Sequence, residues 1–322
     1  MTGTFKANHP YNNLLLFIYA LLLRLYFFSS PAMPALLPDD GLLYKYGLTA
    51  MLELRLPAGF YSSLAFLLLF AQALVLNQIS SVQRLFPKAN YLPGMSYLLI
   101  TALVPGMNRF SSILILISLL IGIQSMIARL HHSPSPKSLV FNIGLLCSLS
   151  SLIYFPACLF LVMPVVGILI FRPFSLKEWV TLILGAATPY YFLLAFLFLT
   201  DHLSAFSLLP IHFSSLSFSL ATSDKIILAV LTGVLISGLF FNQKESGRQL
   251  AHSRKCWFLL FFQFVPSVAV LFVGQYDDTL LLLPALPAAW MASNTFYYPS
   301  KSWFPVLLHW LLVAGVVFVQ MA

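Results

Sequence analysis

The sequence predicts an all-α membrane protein, a bundle of about 11 transmembrane helices, with 9 to 13 as the range. Hydrophobic residues make up 60% of the 322 positions and charged residues only 8%, whereas soluble domains carry about 25% charged residues. Apolar stretches of membrane-spanning length recur along the whole chain between short polar segments. Because a chain of this composition cannot cover itself with polar surface in water, we expect the bilayer to be its solvent.

Each apolar stretch is assigned to a crossing by its length. We predict spans near residues 13–32, 60–76, 91–107, 110–128, 140–154, 156–171, 179–200, 225–241, 257–274, 279–296 and 303–320. The stretch 139–171 is too long for one crossing, and Pro156 and Pro164 favour dividing it into two short helices. Residues 1–322 then form a single transmembrane domain.

Basic residues alternate from loop to loop and predict the orientation. The loops on one side hold Lys6, Arg84, Lys88, Arg129, Lys137, Arg172, Lys177, Lys244, Arg248, Arg254, Lys255 and Lys301. The other side holds only Lys45, Arg55, Arg109 and Lys225. The positive-inside rule therefore places the N-terminus in the cytoplasm and the C-terminus in the periplasm of a bacterial inner membrane. The net charge of +8 then reflects topology, and the expected partners are membrane lipids, with no nucleic acid.

Two longer outer segments follow from this topology. Residues 33–59 alternate apolar and polar positions, which predicts an amphipathic helix on the outer surface. Residues 201–224, rich in Ser and Phe, form the second outer loop.

Arg24 lies inside the first predicted span, where a cation costs about 2.5–3.5 kcal/mol if it is central. One interpretation is that the side chain faces a cavity and binds an anion, such as a lipid phosphate. The alternatives are snorkelling to the outer headgroups or an internal salt bridge.

Asp39 and Asp40 follow that span in the sequence PDDG, which is typical of a turn. A carboxylate there is a candidate catalytic group, because it can accept a proton from a sugar hydroxyl or ligate a divalent cation. The alternative is a helix cap, since Asp is a favoured N-cap and DGLLYKYGL could begin a helix.

Asp277 and Asp278 form a second acidic pair in a predicted outer turn. The two pairs could share a cation, or they could be unrelated loop ends. The sequence shows no metal-binding spacing, no phosphate-binding loop and no nucleophile elbow. Cys147, Cys158 and Cys256 have no CxxC spacing, and we expect them to be free thiols.

Three stretches within about residues 13–200 resemble the GT-C superfamily of membrane glycosyltransferases. They are ALLLRLYFF followed by PDDGLLYKYG, the run NYLPGMSYLLITALVPGMNRFSSILILISLLIGIQ, and FNIGLLCSLSSLIYFPACLFLVMPVVGILI. FRPFSLKEW and TPYYF are similar to an uncharacterised family of integral membrane proteins from Bacteroidota.

The GT-C resemblance implies a polyprenyl-phosphate sugar donor and a catalytic acid in the first outer loop. That acid would be Asp39 or Asp40, and Arg24 would contact the donor phosphate. The chain is short for that class and lacks a clear acceptor-binding domain. The alternatives are therefore a non-catalytic subunit or scaffold of an envelope complex and, third, a transporter, although no inverted repeat is visible.

Overall fold

A computed structural model describes residues 2–132, 136–202, 222–273, 275–301 and 303–321. All regular elements in these residues are helices. The α-helices are α1 (Thr2–Lys6), α2 (Asn12–Leu23), α3 (Leu25–Ser29), α4 (Leu42–Glu53), α5 (Ala58–Val82), α6 (Leu92–Ala102), α7 (Ser112–Arg129), α8 (Pro136–Ile153), α9 (Val162–Phe171), α10 (Leu176–Leu199), α11 (Thr222–Glu245), α12 (Ala251–Phe262), α13 (Phe264–Leu271), α14 (Leu282–Tyr297) and α15 (Trp303–Met321).

Six helical segments in the described residues are long and apolar enough to cross a membrane. They are Ala58–Val82, Ser112–Arg129, Pro136–Ile153, Leu176–Leu199, Ala251–Leu271 and Trp303–Gln320. Shorter apolar helices occupy Asn12–Leu23, Leu92–Ala102 and Phe155–Phe171. Helix α10 shows the membrane character most clearly, because only 17% of its apolar window is buried inside the protein.

Several predicted spans are interrupted where proline or a polar residue enters. The helix predicted over 91–107 ends at Ala102, and a 3-10 turn follows at Pro105–Asn108. Helix α8 ends before Pro156, which lacks the amide hydrogen needed to continue it, and a 3-10 helix follows at Phe155–Leu161. These turns shorten the apolar helices and place irregular backbone near the ends of the bundle.

Polar contacts connect the chain at two ends of the bundle. At one end Gln83 contacts His252, and the Tyr91 amide donates to the Phe5 carbonyl. We call this the basic end, because most of the Lys and Arg residues occupy the loops there. At the other end the Gln275 amide donates to Asp39, and we call it the acidic end.

Helices α8 and α10 cross at a reciprocal pair of glycines. A Cβ atom at Gly144 would overlap the Leu182 carbonyl, and one at Gly185 would overlap the Phe141 carbonyl. Such close backbone approach is typical of small residues at membrane helix crossings.

The two outer segments differ in what the structure describes. Residues 33–59 contain helix α4, which buries Tyr44 and Leu48 and exposes Leu43 and Tyr46. Most of the segment 201–224 lies outside the described residues.

Candidate functional site

Arg24 lies at the break between α2 and α3, and its side chain is fully buried (0% exposed). Its Nε donates to Asn108 Oδ1 at 2.7 Å, and its Nη2 donates to Thr101 Oγ1 at 2.6 Å and to the Leu98 carbonyl at 3.2 Å. The side chain therefore does not snorkel, and no acid in the described residues forms a salt bridge with it. Neutral dipoles of α6 and the following turn hold the charge.

A polar network extends from Arg24 into the bundle. The Thr101 hydroxyl donates to the Tyr97 carbonyl, and the Tyr97 hydroxyl donates to Gln72 Oε1 at 2.6 Å. Gln72 in turn donates to the Leu114 carbonyl on α7. These hydrogen bonds tie α2, α5, α6 and α7 together, so the arginine has a structural role in helix packing.

Asp39 and Asp40 are both buried (9% and 1% exposed) in the loop before α4. Asp40 Oδ2 accepts from the Leu37 amide at 2.7 Å, and Oδ1 accepts from the Ser112 hydroxyl. Asp39 Oδ2 accepts from the Gln275 amide at 2.8 Å. Neither aspartate caps α4, because Gly41 occupies the N-cap position and no side chain caps it.

Main-chain contacts fix this loop against the end of α8. The Gly41 amide donates to the Ile153 carbonyl at 2.8 Å, and the Phe155 amide donates to the Asp39 carbonyl at 3.1 Å. Asp40 and Tyr154 form an isolated antiparallel bridge. Any Cβ atom at position 41 would overlap the Leu152 carbonyl, so glycine is required for this approach.

Two tyrosine hydroxyls lie beside these carboxylates. The Tyr154 hydroxyl is buried in the field of Asp39, Asp40 and Asp277, and the Tyr44 hydroxyl is buried near Asp40. Neither hydroxyl has a hydrogen-bond partner among the described residues. We call Asp39, Asp40, Asp277, Tyr44 and Tyr154 the acidic cluster. It combines carboxylate acceptors with two buried O–H donors that are unpaired among the described residues.

Burial raises the pKa of Asp40 from 3.8 to about 6. The hydrogen bonds from Ser112 and Leu37, and the charge of Lys45, oppose this rise only in part. A carboxylate that titrates close to neutral pH is well matched to general-base chemistry.

The second acidic pair lies next to the first through Asp277, which acts on the Tyr154 hydroxyl, and through Gln275, whose amide donates to Asp39. Asp277 Oδ1 caps the 3-10 turn Asp278–Leu281 by accepting from the Thr279 amide at 2.8 Å. Asp278 is exposed and interacts with Tyr276. The structure therefore brings Asp277 to the first pair, and leaves Asp278 at the surface.

The turn Pro105–Asn108 lies between the acidic end and Arg24. A Cβ atom at Gly106 would overlap that of Asp278, and Asn108 accepts the hydrogen bond from Arg24. Arg24 is thus connected to the acidic end through this turn, but it does not contact the carboxylates.

A small apolar groove of about 180 Å³ lies between α4 and the ends of α7 and α8. Its lining includes Leu43, Tyr44, Leu48, Phe110, Ile115 and Ile153. Because the Tyr44 hydroxyl lies near Asp40, the groove adjoins the acidic cluster. An apolar chain in the groove would place its polar end beside the carboxylates.

Residues 48–322 match the model of DUF6427, described as a family of unknown function. The chain belongs to the DUF6427 family. No curated protein and no solved structure matches it. The DUF6427 match includes Ser112, Tyr154 and Asp277, and it begins after Arg24 and the first acidic pair.

Within the described part of this DUF6427 chain, no group of three or more His, Cys, Asp or Glu side chains is arranged to hold a metal ion. The possible divalent cation stays an expectation from the sequence, and the acidic cluster is treated below without one. All three cysteines of the chain are free thiols.

A cavity of the DUF6427 chain lies at the basic end, where the sequence had indicated only topology. It measures about 950 Å³ and is lined by Arg84, Arg129 and His252 among others. The sequence did not indicate it because these residues come from three separate segments, the turn after α5, the end of α7 and the start of α12. The basic residues of each segment by themselves are accounted for by the positive-inside rule.

Proposed function

We propose that this DUF6427 member binds a hydroxylated, lipid-borne ligand at the acidic cluster and transfers a sugar from a polyprenyl phosphate, with Asp40 as general base. The observation that carries the proposal is the position of Asp40, which is buried, has a pKa of about 6 and adjoins an apolar groove through Tyr44.

The acidic cluster suits the transfer step. Asp40 would accept the proton of the acceptor's hydroxyl group while the oxygen of that hydroxyl group bonds to the anomeric carbon. The bond from that carbon to the phosphate oxygen breaks, and polyprenyl phosphate leaves. Tyr44 and Tyr154 would donate hydrogen bonds to sugar oxygens, and Ser112 holds one oxygen of Asp40 in place.

The GT-C resemblance implies that Arg24 contacts the donor phosphate. In this proposal Lys45 makes that contact. Arg24 is enclosed by neutral acceptors of the bundle. The Lys45 amino group lies 3.1 Å from the Pro38 carbonyl, beside the acidic cluster, and its charge acts on Asp40. An exposed ammonium there can bind a phosphate as a point charge.

The proposal places the acidic end in the periplasm, with about eleven crossings in a bacterial inner membrane. Its support is the collection of basic loops at the opposite end, which the positive-inside rule assigns to the cytoplasm. The Bacteroidota lineage is likewise an expectation carried by the sequence resemblance.

A second candidate function is a non-catalytic subunit of an envelope complex. It is favoured by the hydrogen bonds that the carboxylates already make to the Leu37 and Gln275 amides. On this view the aspartates hold two loops together and present an outer surface to a partner.

Purified full-length protein in proteoliposomes with a polyprenyl-phosphate hexose distinguishes the two functions. We expect release of polyprenyl phosphate that falls about 100-fold or more in Asp40→Asn, because a general base contributes that much. Glu53→Gln removes an exposed acid of the same end and should leave the rate unchanged.

Folding must be checked in both variants by thermal unfolding. Full activity in a folded Asp40→Asn protein rejects the general base. A folded wild-type protein that neither binds nor cleaves the donor rejects the transferase and leaves the non-catalytic subunit.

A further inference from the structure

The cavity at the basic end has the charge of an anion site. It lies between the turn after α5, the end of α7, the start of α8 and the start of α12. Arg84 and Arg129 line it together with Gln83, Asn142 and His252, and no Asp or Glu is among its described lining residues. Its volume of about 950 Å³ is within the range of small-molecule sites.

The turn that carries Arg84 is held rigidly on α12. The Ser253 hydroxyl donates to the Arg84 carbonyl at 2.9 Å, and the Trp257 indole donates to the Leu85 carbonyl at 3.1 Å. A ring nitrogen of His252 lies 2.8 Å from Gln83 Oε1. The cavity wall is therefore fixed by side-chain hydrogen bonds from one helix.

Arg84 has a left-handed backbone conformation, with φ of 50°. This conformation is uncommon for a residue with a side chain, and glycine adopts it more readily. The chain nevertheless places an exposed guanidinium there, at the mouth of a cavity. Strain of this kind at a cavity points to a role for the side chain.

Further positive charge and aromatic surface surround His252. Its ring packs against Phe171 at 5.6 Å and stacks on His131 at 5.5 Å. The Lys255 amino group lies over the Phe171 ring at 5.9 Å. A third cation therefore lies on the same phenylalanine ring that packs against His252.

The rim of the cavity is apolar. Val82 and Leu250 line it and are 64% and 58% exposed. Guanidinium groups bind phosphate oxygens in a bidentate manner, and basic pockets between membrane helices bind anionic headgroups. We propose that this cavity binds the phosphate headgroup of an anionic phospholipid, with the acyl chains beside Val82 and Leu250.

This lipid site is separate from the acidic cluster and does not rest on the proposed transferase. The test uses the purified full-length protein in phosphatidylcholine nanodiscs, with and without phosphatidylglycerol, and counts retained lipid by native mass spectrometry. We expect Arg84→Gln/Arg129→Gln to weaken phosphatidylglycerol binding by about tenfold or more.

Two further variants make the test specific. Arg84→Gly removes the guanidinium while suiting the left-handed backbone, so it should lose lipid and keep its thermal stability. Lys177→Gln/Lys244→Gln removes the same net charge from exposed positions of the basic end that do not line the cavity, and it should bind lipid as the wild type does.

Inorganic phosphate added to nanodiscs of phosphatidylcholine alone tests whether the ligand is a soluble phosphate and not a phospholipid. Retention of phosphatidylglycerol that depends on the two arginines supports the lipid site. If the protein binds inorganic phosphate and shows no preference for phosphatidylglycerol, the ligand of the cavity is a soluble phosphate and the proposal of a lipid ligand is wrong. An equal loss of lipid in the control pair, or no loss in any arginine variant, overturns the site itself.

Discussion

At the residue scale, Asp40 shows how burial sets the protonation of a carboxylate. Its 1% exposure removes water, and that loss outweighs the hydrogen bonds from Ser112 and Leu37, so the pKa rises to about 6. A rise of this size from 3.8 corresponds to roughly 3 kcal/mol of preference for the neutral form. The folded chain therefore carries a cost whenever this aspartate is ionised.

The pH dependence of unfolding should report that cost. Because the folded state binds the proton of Asp40 more tightly than the unfolded chain does, stability is expected to fall as the pH rises from about 4 to about 6, and to level off above. Asp40→Asn should remove this part of the slope. The measurement is the thermal midpoint in detergent by tryptophan fluorescence, at a series of pH values.

The exposed Glu53 provides the matched control for this experiment. Glu53→Gln should keep the wild-type slope between pH 4 and 6. Equal slopes in the wild-type and Asp40→Asn proteins would show that Asp40 titrates at the same pH in the folded and unfolded states.

At the scale of elements, the crossing of α8 and α10 depends on the absence of two side chains. Gly144 and Gly185 each face a carbonyl of the opposite helix, so the backbones are in contact. Helix α10 has most of its remaining surface outside the bundle. Among the described helices, α10 makes its main contact with α8.

Gly185→Ala should separate the two helices and lower the thermal midpoint, because the new methyl group meets backbone that cannot rotate away. Gly122→Ala is the matched control, since a Cβ there would lie 3.8 Å from Leu146 Cδ1, an ordinary contact. Alanine is the better helix former by about 1 kcal/mol, so the control should be neutral or more stable. A Gly185→Ala protein as stable as the control would contradict the close crossing.

The elements also show what apolar patterning predicts and what it misses. Long runs such as Ala58–Val82 and Leu176–Leu199 were expected as helices, because length and apolarity alone predict them. The breaks at Arg24 and Gln263 were not expected. The break at Arg24 is held by Asn108 and Thr101, and Gln263 accepts a hydrogen bond from Gln124, so both breaks involve partners that lie far away in the sequence.

The sequence predicted only part of the candidate site, because residues that are distant in the sequence meet only in the folded chain. Asp39 and Asp40 stood out as charges in an apolar chain, and the structure buries both. The contributions of Tyr44, Ser112 and Tyr154 were missed, because Tyr and Ser are common in membrane helices and carry no distinctive spacing. Only the folded loop brings their hydroxyls to the carboxylates.

At the scale of the whole molecule, the two ends of the bundle differ in charge, and this difference predicts the orientation. We test it in a variant with Cys147, Cys158 and Cys256 replaced by Ser, so that single cysteines can be placed at each end. Asp278→Cys should react with an impermeant maleimide from outside the cell. Lys88→Cys should react only after the membrane is permeabilised.

The opposite labelling pattern would reverse the orientation and place the acidic cluster in the cytoplasm. If both cysteines are labelled from outside, the chain does not cross the membrane an odd number of times between positions 88 and 278. Both positions are exposed in the structure, so lack of reaction reports the membrane and not burial.

The hydrogen bonds of Arg24 also constrain how the chain is made. Its acceptors at Leu98, Thr101 and Asn108 lie 74, 77 and 84 residues further along the sequence. When the ribosome has finished α2, none of these acceptors has yet been synthesised. Helix α2 must therefore hold a guanidinium without its final acceptors until α6 and the turn after it have been synthesised.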